Sequence, residues 1–291
     1  MKKKIPYVII SPVRDESKYI EKTITSVVSQ TIQPTEWIIV NDGSTDKTQE
    51  IIEKYLPIHP WMKLVNRKNR GFRKAGGGVI QAFNEGYLSI ESKIWDFIVK
   101  LDGDLSFESQ YFEKCFTYFN NEKSLGVGGG VIANLRDGKF IVDEKNPDFH
   151  VRGATKIYKR ECWEDIGGFI EAPGWDTLDE VKANMLGWTT KSFRELTIKH
   201  YRPTGAADGM WANAVKNGKS DYICGYHPLF MIIKCTKRLF DRPFFIIGFG
   251  HLYGFIISSI KNVPRVPDPD LIKYLRREQI KRILRKKSIW V

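Results

Sequence analysis

"WDFIVKLDGDLSF", residues 95–107, is a run of strand-forming apolar residues that ends in two carboxylates, Asp102 and Asp104, with one glycine between them. A buried strand ordinarily leaves the core through neutral turn residues, and two like charges this close repel unless something positive stands between them. The stretch therefore reads as a strand that delivers a site. Carboxylates at i and i+2 beyond a strand end supply oxygen ligands for a hard divalent cation, Mg2+ or Mn2+, which in turn bridges a diphosphate. A metal so held acts as a Lewis acid on a departing phosphate. The plain alternative is a solvated turn, since Asp-Gly is a common turn pair.

Upstream, the chain alternates regularly. "YVIIS" (7–11) reads as a buried strand, and Ile20, Ile24, Val27 and Val28 then fall at helical spacing. "EWIIV" (36–40) is a second strand, followed by a helix carrying Ile51, Ile52 and Tyr55; "MKLVN" (62–66) is a third, and "FIVKL" (97–101) follows a long segment from Lys74 to Ile90. Strand alternating with helix predicts an α/β fold, a mostly parallel sheet with helices on both faces. In such sheets ligands bind beyond the carboxyl ends of the strands. The polar clusters "PVRDE", "NDGSTD", "NRG" and "DGD" fall at those ends, so four loops converge on one edge.

After Phe107 the pattern loosens toward α+β, with "YFEKCFTYF" helical and "GVGGGVIANL", "TKIYKREC" and "TKSFRELTIKHY" as further strands. The domain boundary is placed near Tyr226, giving a catalytic-type domain over 1–225 and an apolar, basic, helical region over 226–291. The net charge is +12, and residues 261–291 hold ten Lys or Arg against three Asp or Glu. Such an excess draws a protein toward phosphates or anionic surfaces. Just before it, "PFFIIGFGHLYGFIISSI" (243–260) is marginal for a membrane span, which needs about 20 residues. An interfacial segment with the basic tail on anionic headgroups is expected, against the plainer reading of a buried helix. "PDPDLIKYLRREQIKRIL" adds an amphipathic helix through Leu271, Leu275, Ile280 and Leu284. Nucleic-acid binding would need basic residues interleaved with exposed aromatics or a known module, and none is visible. Four cysteines without C-x-x-C spacing, and an opening "MKKKIPYVII" that runs straight into a strand, lead to the expectation of a reducing, cytoplasmic protein without structural zinc, peripheral on the inner face of the cell membrane.

"VNDGSTD" (40–46) takes Asp42 off a strand through Gly43, with Ser44, Thr45 and Asp46 offering oxygens to cap the next helix. A carboxylate fixed there can accept hydrogen bonds from a nucleobase or ribose, although a simple cap explains it too. Taken together, Pro12 and Glu16 in "SPVRDES", "SVVSQT" (26–31), "IIVNDGSTD" (38–46) and "KLDGD" (100–104) resemble the family 2 glycosyltransferases of GT-A fold over about residues 5 to 200. The resemblance implies inverting transfer of a sugar from a nucleoside diphosphate donor, assisted by a divalent metal. It would set Pro12, Arg14 and Glu16 by the nucleotide, Asp42 on the base, and Asp102 and Asp104 on ribose, diphosphate and metal. The sequence departs from the family at Arg14-Asp15, where an aromatic and Asn are commoner. It departs again in "NRGFRKAGGG" (69–78), where Arg73 and Lys74 replace the usual pattern. Those cations would meet the diphosphate, or the glycines would let a helix N-terminus approach it; solvated basic residues are the alternative.

Inversion needs a base to take the acceptor's proton as it attacks. The family places it as the Asp of a Glu-Asp pair, after a Gly-Gly-Phe turn and eleven residues before a glycine. "GGFIEAPGWDTLDEVKANMLGW" gives Asp176 that position, with Trp175 in place of Glu. Asp179 and Glu180 compete, although carboxylates early in a helix also serve its dipole. His200 and Arg202 in "IKHYRPTG" are a further metal ligand and a phosphate contact, or, for the histidine, a structural residue. The acceptor is expected to be a glycan or lipid-linked. Transfer to polyprenyl phosphate and a non-catalytic sugar-nucleotide-binding scaffold are the alternatives.

Overall fold

Strand β1 (Tyr7–Val13) is buried at every position, as are β2 (Glu36–Asn41) and β4 (Phe97–Leu101). A strand hidden on both faces needs a layer above and below it, and the computed structural model, which describes residues 5–71, 77–142, 146–202, 209–240 and 244–290, supplies both. With β3 (Met62–Asn66), these strands pair in parallel in the order β3-β2-β1-β4. Side chains alternate along them. Tyr7, Ile9, Trp37 and Ile39 meet α1 (Ile20–Val28), α2 (Thr48–Glu53) and the later helix α4 (Tyr111–Asn121) through Ile24, Ile52 and Phe116. Val8, Ile10, Ile38 and Val40 meet Phe83 of α3 (Gly77–Leu88) on the opposite face.

The mostly parallel character ends at β4. Beyond it come β5 (Leu105–Ser106), β6 (Leu125–Arg136), β7 (Lys139–Val142), β8 (Thr155–Lys159) and β9 (Thr189–His200). β8 runs antiparallel between β4 and β6, β7 is antiparallel to β6, and β9 is parallel to β6 but antiparallel to β5. The described residues thus form one mixed nine-stranded sheet, in the order β3-β2-β1-β4-β8-β6-β9-β5 with β7 beside β6. One cause is local: Asp137 and Gly138 both take positive φ (49° and 74°), the type I′ geometry that folds β6 back on β7 without a crossover helix.

Helices α5 (Arg160–Ile166) and α6 (Trp175–Met185) complete this part. The chain ends in α7 (Met210–Ile223), α8 (Pro228–Arg238), α9 (Ile246–Ile260) and α10 (Pro269–Ile283). Leu178 and Val181 of α6 share a core with Tyr222, Met231, Phe255, Leu271 and Leu275, so these helices are sealed to the sheet domain through α6, and α7 joins them ahead of residue 226. α9 has 15 residues, about 22 Å of helix against a hydrocarbon core of about 30 Å. Among the described residues no helix is long and apolar enough to cross a membrane.

Candidate active site

The parallel strands end side by side, and the loops leaving them line one edge. Loop 14–17 is stitched to the turn after β2: Glu16 N–H donates to Thr48 Oγ1 (2.7 Å), Ser17 N–H to Asp46 Oδ2 (3.0 Å) and Thr45 N–H to Asp15 Oδ1 (2.8 Å). This brings Glu16 against Gly103. A methyl group at residue 103 would come within 2.8 Å of Val13 Cγ1 and 3.3 Å of Glu16 Cγ, which is why glycine separates the two aspartates.

Asp104 is only 5% exposed. Pairing of Leu105 with His200 delivers the end of β9 to it, so Asp104 Oδ2 lies 3.4 Å from His200 Nε2 and 3.5 Å from Arg202 Nε, while Arg202 Nη2 reaches Glu16 Oε2 at 2.5 Å. Burial, followed by the charge of Asp104, pushes the Glu16 carboxyl up to about 8 against the pull of Arg202. His200 Nδ1 is 2.9 Å from Asn134 Oδ1; with that oxygen accepting, the ring proton sits on Nδ1 and Nε2 turns a lone pair toward Asp104. Asp104 Oδ1 is buried with no hydrogen-bond partner among the described residues. An orphaned carboxylate oxygen and an imidazole lone pair aimed at the same carboxylate both suit a cation between them.

Asp102 has one oxygen committed. Lys100, a lysine inside an apolar strand and 2% exposed, donates from Nζ to Asp102 Oδ1 and to the Gly153 carbonyl. Burial raises the Asp102 carboxyl; Lys100 opposes that and Asp104 adds to it. Among the described residues no group of three or more His, Cys, Asp or Glu side chains is placed to hold a metal ion. The donor set nevertheless fits Mg2+ or Mn2+, hard cations that take one or two carboxylates from the protein and the remaining ligands from phosphate and water.

Beyond β2, Asp42 is buried among arginines. Its oxygens accept from Arg67 Nη1 and Arg70 Nη2, both at 2.5 Å, and Arg14 Nη1 stands 4.0 Å away. Arg14 also donates to Asn69 Oδ1 (3.0 Å). Asp42 therefore positions guanidinium groups at the mouth of the site instead of offering both oxygens to a base. Pro12 is buried within β1 opposite Val40. Lys74 and Arg73 lie outside the described residues.

The acidic helix α6 separates its carboxylates sharply. Lys156, fully buried, donates to both Asp179 oxygens (3.0 and 2.9 Å) and to the Asp176 carbonyl, and its Nζ is 2.8 Å from Glu180 Oε1; Tyr158 also donates to Asp179. Burial pushes the Asp179 carboxyl up to about 6 against the attraction of Lys156. Glu180 further accepts from Val151 N–H (2.7 Å) and faces His150 Nδ1 (2.9 Å). Asp179 and Glu180 are thus enclosed and committed. Asp176, in the first turn of α6 and half-buried, has no hydrogen bond or ion pair to its carboxylate among the described residues. It also faces the edge, for a methyl group at Gly153 would meet Asp176 Cβ at 3.1 Å, and the Gly153 carbonyl is bound to the lysine under Asp102. Trp175 lies 5.4 Å and 5.7 Å from the ammonium groups of Lys100 and Lys156, so its negative π face stands where the family's Glu would offer a carboxylate.

Sequence reasoning passed over Arg67, Arg70, Lys100, Lys156 and His150. A signal existed for the two lysines, each interrupting an apolar strand, and for the arginines in the basic run "NRKNRG". His150 carried none, because its partner Glu180 is brought to it only by the packing of α6.

The comparisons with known proteins bear on the family and the fold. The profile of Glycosyl transferase family 2 matches residues 8–174. Chondroitin synthase of Pasteurella multocida (strain Pm70) is 31% identical over 179 residues, which is 58% of this chain and 18% of that protein; hyaluronan synthase of Pasteurella multocida is 28% identical over 179 residues, 58% and 17%. The chain thus spans about a fifth of the length of these curated relatives. Among solved structures, the mannosyltransferase PcManGT from Pyrobaculum calidifontis, in complex with GDP-Man and Mn2+, superposes with TM-score 0.58 at 16% identity, covering 99% of this chain and 77% of that one. S. aureus TarS 1-349 in complex with UDP gives 0.54 at 16%, with 88% and 72% covered. These likenesses establish a GT-A fold, and with a profile that takes in every loop of the edge from Arg14 to Gly153, the chain belongs to glycosyl transferase family 2.

Proposed function

We propose that the protein is an inverting glycosyltransferase that moves a sugar from a nucleoside diphosphate to a hydroxyl of a glycan or lipid-linked acceptor. The observation that carries this is Asp176: in a helix whose other two carboxylates are neutralised by Lys156, it alone keeps an uncommitted carboxylate, on the same edge as the paired aspartates. The nucleotide lies over β1 and β2, with its base toward Asp42 and the surrounding arginines, and Arg202 closes over the diphosphate. Asp102, Asp104 and His200 would hold a divalent cation, which supplies Lewis-acid stabilisation of the departing diphosphate. Asp176 accepts the acceptor's proton during the single displacement. Transfer to a polyprenyl phosphate, whose acceptor oxygen is already ionised, would leave this carboxylate without a task. The names of the relatives and neighbours give UDP and GDP priority in a test. Calorimetric titration of UDP, GDP, dTDP and CMP with Mn2+, Mg2+ or EDTA should show metal-dependent binding of one nucleotide, lost when Asp102→Asn and Asp104→Asn are combined. Binding indifferent to EDTA and to both substitutions would remove the metal from the reading.

The same reading places the enzyme on an anionic membrane surface, peripheral on the inner face of the cell membrane. Phe245, Phe249, Tyr253, Ile256 and Ile260 recur at helical spacing and are 47 to 69% exposed, forming one apolar stripe along α9 beside exposed Trp211. Around it Lys216, Lys219, Lys237 and Lys261 are exposed, and among the described residues from 209 to 261 the single acid, Asp221, is turned inward to Lys234 and His251. An apolar stripe rimmed by cations is the pattern of a helix lying in a headgroup layer.

A further inference from the structure

The sites along the edge follow the strand order. Asp42 leaves β2, Glu16 follows β1, Asp102 and Asp104 follow β4, and Gly153, which leads into β8, abuts Asp176. One strand further is β6. Through β8, Gly128 of β6 lies level with Val99 of β4, which puts Val131 level with Asp102. Here, where the pairing of β6 with β9 slips between Gly130 and Val131, the structure has a shallow recess of about 20 Å3, open to solvent. His150, Arg152, Ser192, Arg194 and Asn146 line it.

Among the described lining residues, one cation is unpaired. Arg194 is not that one: it donates from Nε (2.9 Å) and Nη2 to Asp148 Oδ1 and from Nη2 to the Asn146 carbonyl (3.4 Å), an exposed pair that leaves Nη1 for a further acceptor. Arg152 is half-buried, and its guanidinium has no ion pair or hydrogen bond among the described residues. His150 presents Nδ1 to Glu180; burial alone would lower its pKa, but the Glu180 carboxylate, with Asp176 behind it, raises it instead. Glu180 is also held by Lys156 and Val151 N–H. Arg152 precedes the glycine that touches Asp176, so the recess begins beside the carboxylate proposed as the base.

We infer that this recess receives an anionic group of the acceptor, a carboxylate or a phosphate, gripped by Arg152 and Arg194 while Asp176 takes the proton from the acceptor's hydroxyl. The inference rests on the transferase reading above. A planar guanidinium left unpaired at a half-buried position matches such an oxyanion in two parallel hydrogen bonds. A neutral sugar would leave the positive charge unmet.

The test uses the full chain with Mn2+, with and without the nucleoside diphosphate it prefers, and three probes: methyl β-D-glucuronide, glucose 6-phosphate and the neutral methyl β-D-glucoside. Binding is followed by calorimetry or saturation-transfer NMR on the wild type, Arg152→Gln, Arg194→Gln and, as a surface control, Lys123→Gln. At least one anionic probe should bind about tenfold or more tightly than the glucoside, the weight of one charge-assisted contact. The advantage should vanish in Arg152→Gln, shrink in Arg194→Gln and survive in Lys123→Gln, with nucleotide affinity unchanged throughout. The glucuronide binding alone assigns a carboxylate, and the phosphate alone a phosphate; either upholds the inference. Equal binding of charged and neutral probes would overturn it. So would a loss of nucleotide affinity in Arg152→Gln, which would give that arginine to the donor. Failure of the donor reading shows up separately, as no nucleotide binding by the wild type.

Discussion

At the scale of single residues, the site is organised by two buried lysines. Lys156 absorbs Asp179 and Glu180, and Lys100 holds one oxygen of Asp102, so Asp176 is the carboxylate we propose for proton transfer. The two aspartates of α6 should therefore respond in opposite ways to the same substitution. Asp176→Asn should lower turnover by about 10² to 10⁴, the usual weight of a general base, with nucleotide affinity and melting temperature unchanged. Asp179→Asn leaves Lys156 short of a partner and should cost about 3 kcal/mol of stability, read from a urea transition. Equal stability loss in the two would mean that Asp176 is structural. The sequence pointed to Asp176 only through the family's spacing to Gly187, a role this substitution tests. The division of labour was not legible there, because it depends on a lysine in β8 whose side chain meets α6 only after folding.

At the scale of elements, the crossing of α7 and α9 is as close as backbone allows. A methyl group at Gly254 would meet the Val215 carbonyl oxygen at 2.1 Å, and one at Gly218 the His251 carbonyl oxygen at 1.9 Å. Gly254→Val should force the helices apart and cost about 3 kcal/mol, the upper end for overpacking; an unchanged denaturation midpoint would refute the crossing. His251, buried at this crossing, accepts from Arg238 at Nδ1 (3.0 Å) and donates from Nε2 to Asp221 (2.7 Å), with Lys234 on the same carboxylate. Burial, and then Lys234 and Arg238, lower its pKa despite Asp221. A histidine kept neutral in the folded state contributes stability that is present above its unfolded pKa, about 6.5, and is lost as pH falls through the folded value. Asp221, itself lowered, stays ionised across that window. Acidification from pH 7.5 to 5 should therefore lower the amide protection factors in α9, taken relative to intrinsic exchange at each pH, and His251→Gln should abolish that dependence. Gly254 lies within the apolar run 243–260, and only the partner helix shows that it is a contact.

At the scale of the whole molecule, the catalytic edge and the basic apolar face of α9 belong to one body, joined by the core that α6 shares with α7, α8 and α10. Flotation with phosphatidylglycerol-containing vesicles should carry the wild type, carry it less as salt rises, and fail for Phe249→Ser combined with Tyr253→Ser, with nucleotide binding intact. Recovery of that double variant with the vesicles would place the docking surface elsewhere. The alternation of apolar strands and helices up to Leu101, and the acidic and basic loops at their ends, determined the parallel half of the fold and most of the site by themselves, because burial on both faces and turn chemistry are local properties written at fixed spacing. The antiparallel half, the arrival of His200 and Arg202 at Asp104, the choice of Asp176 over Asp179, and the recess under Arg152 were decided only by tertiary structure. Each depends on strands and helices distant in sequence meeting in a particular register, and on charges whose partners are chosen by packing and not by neighbourhood in the chain.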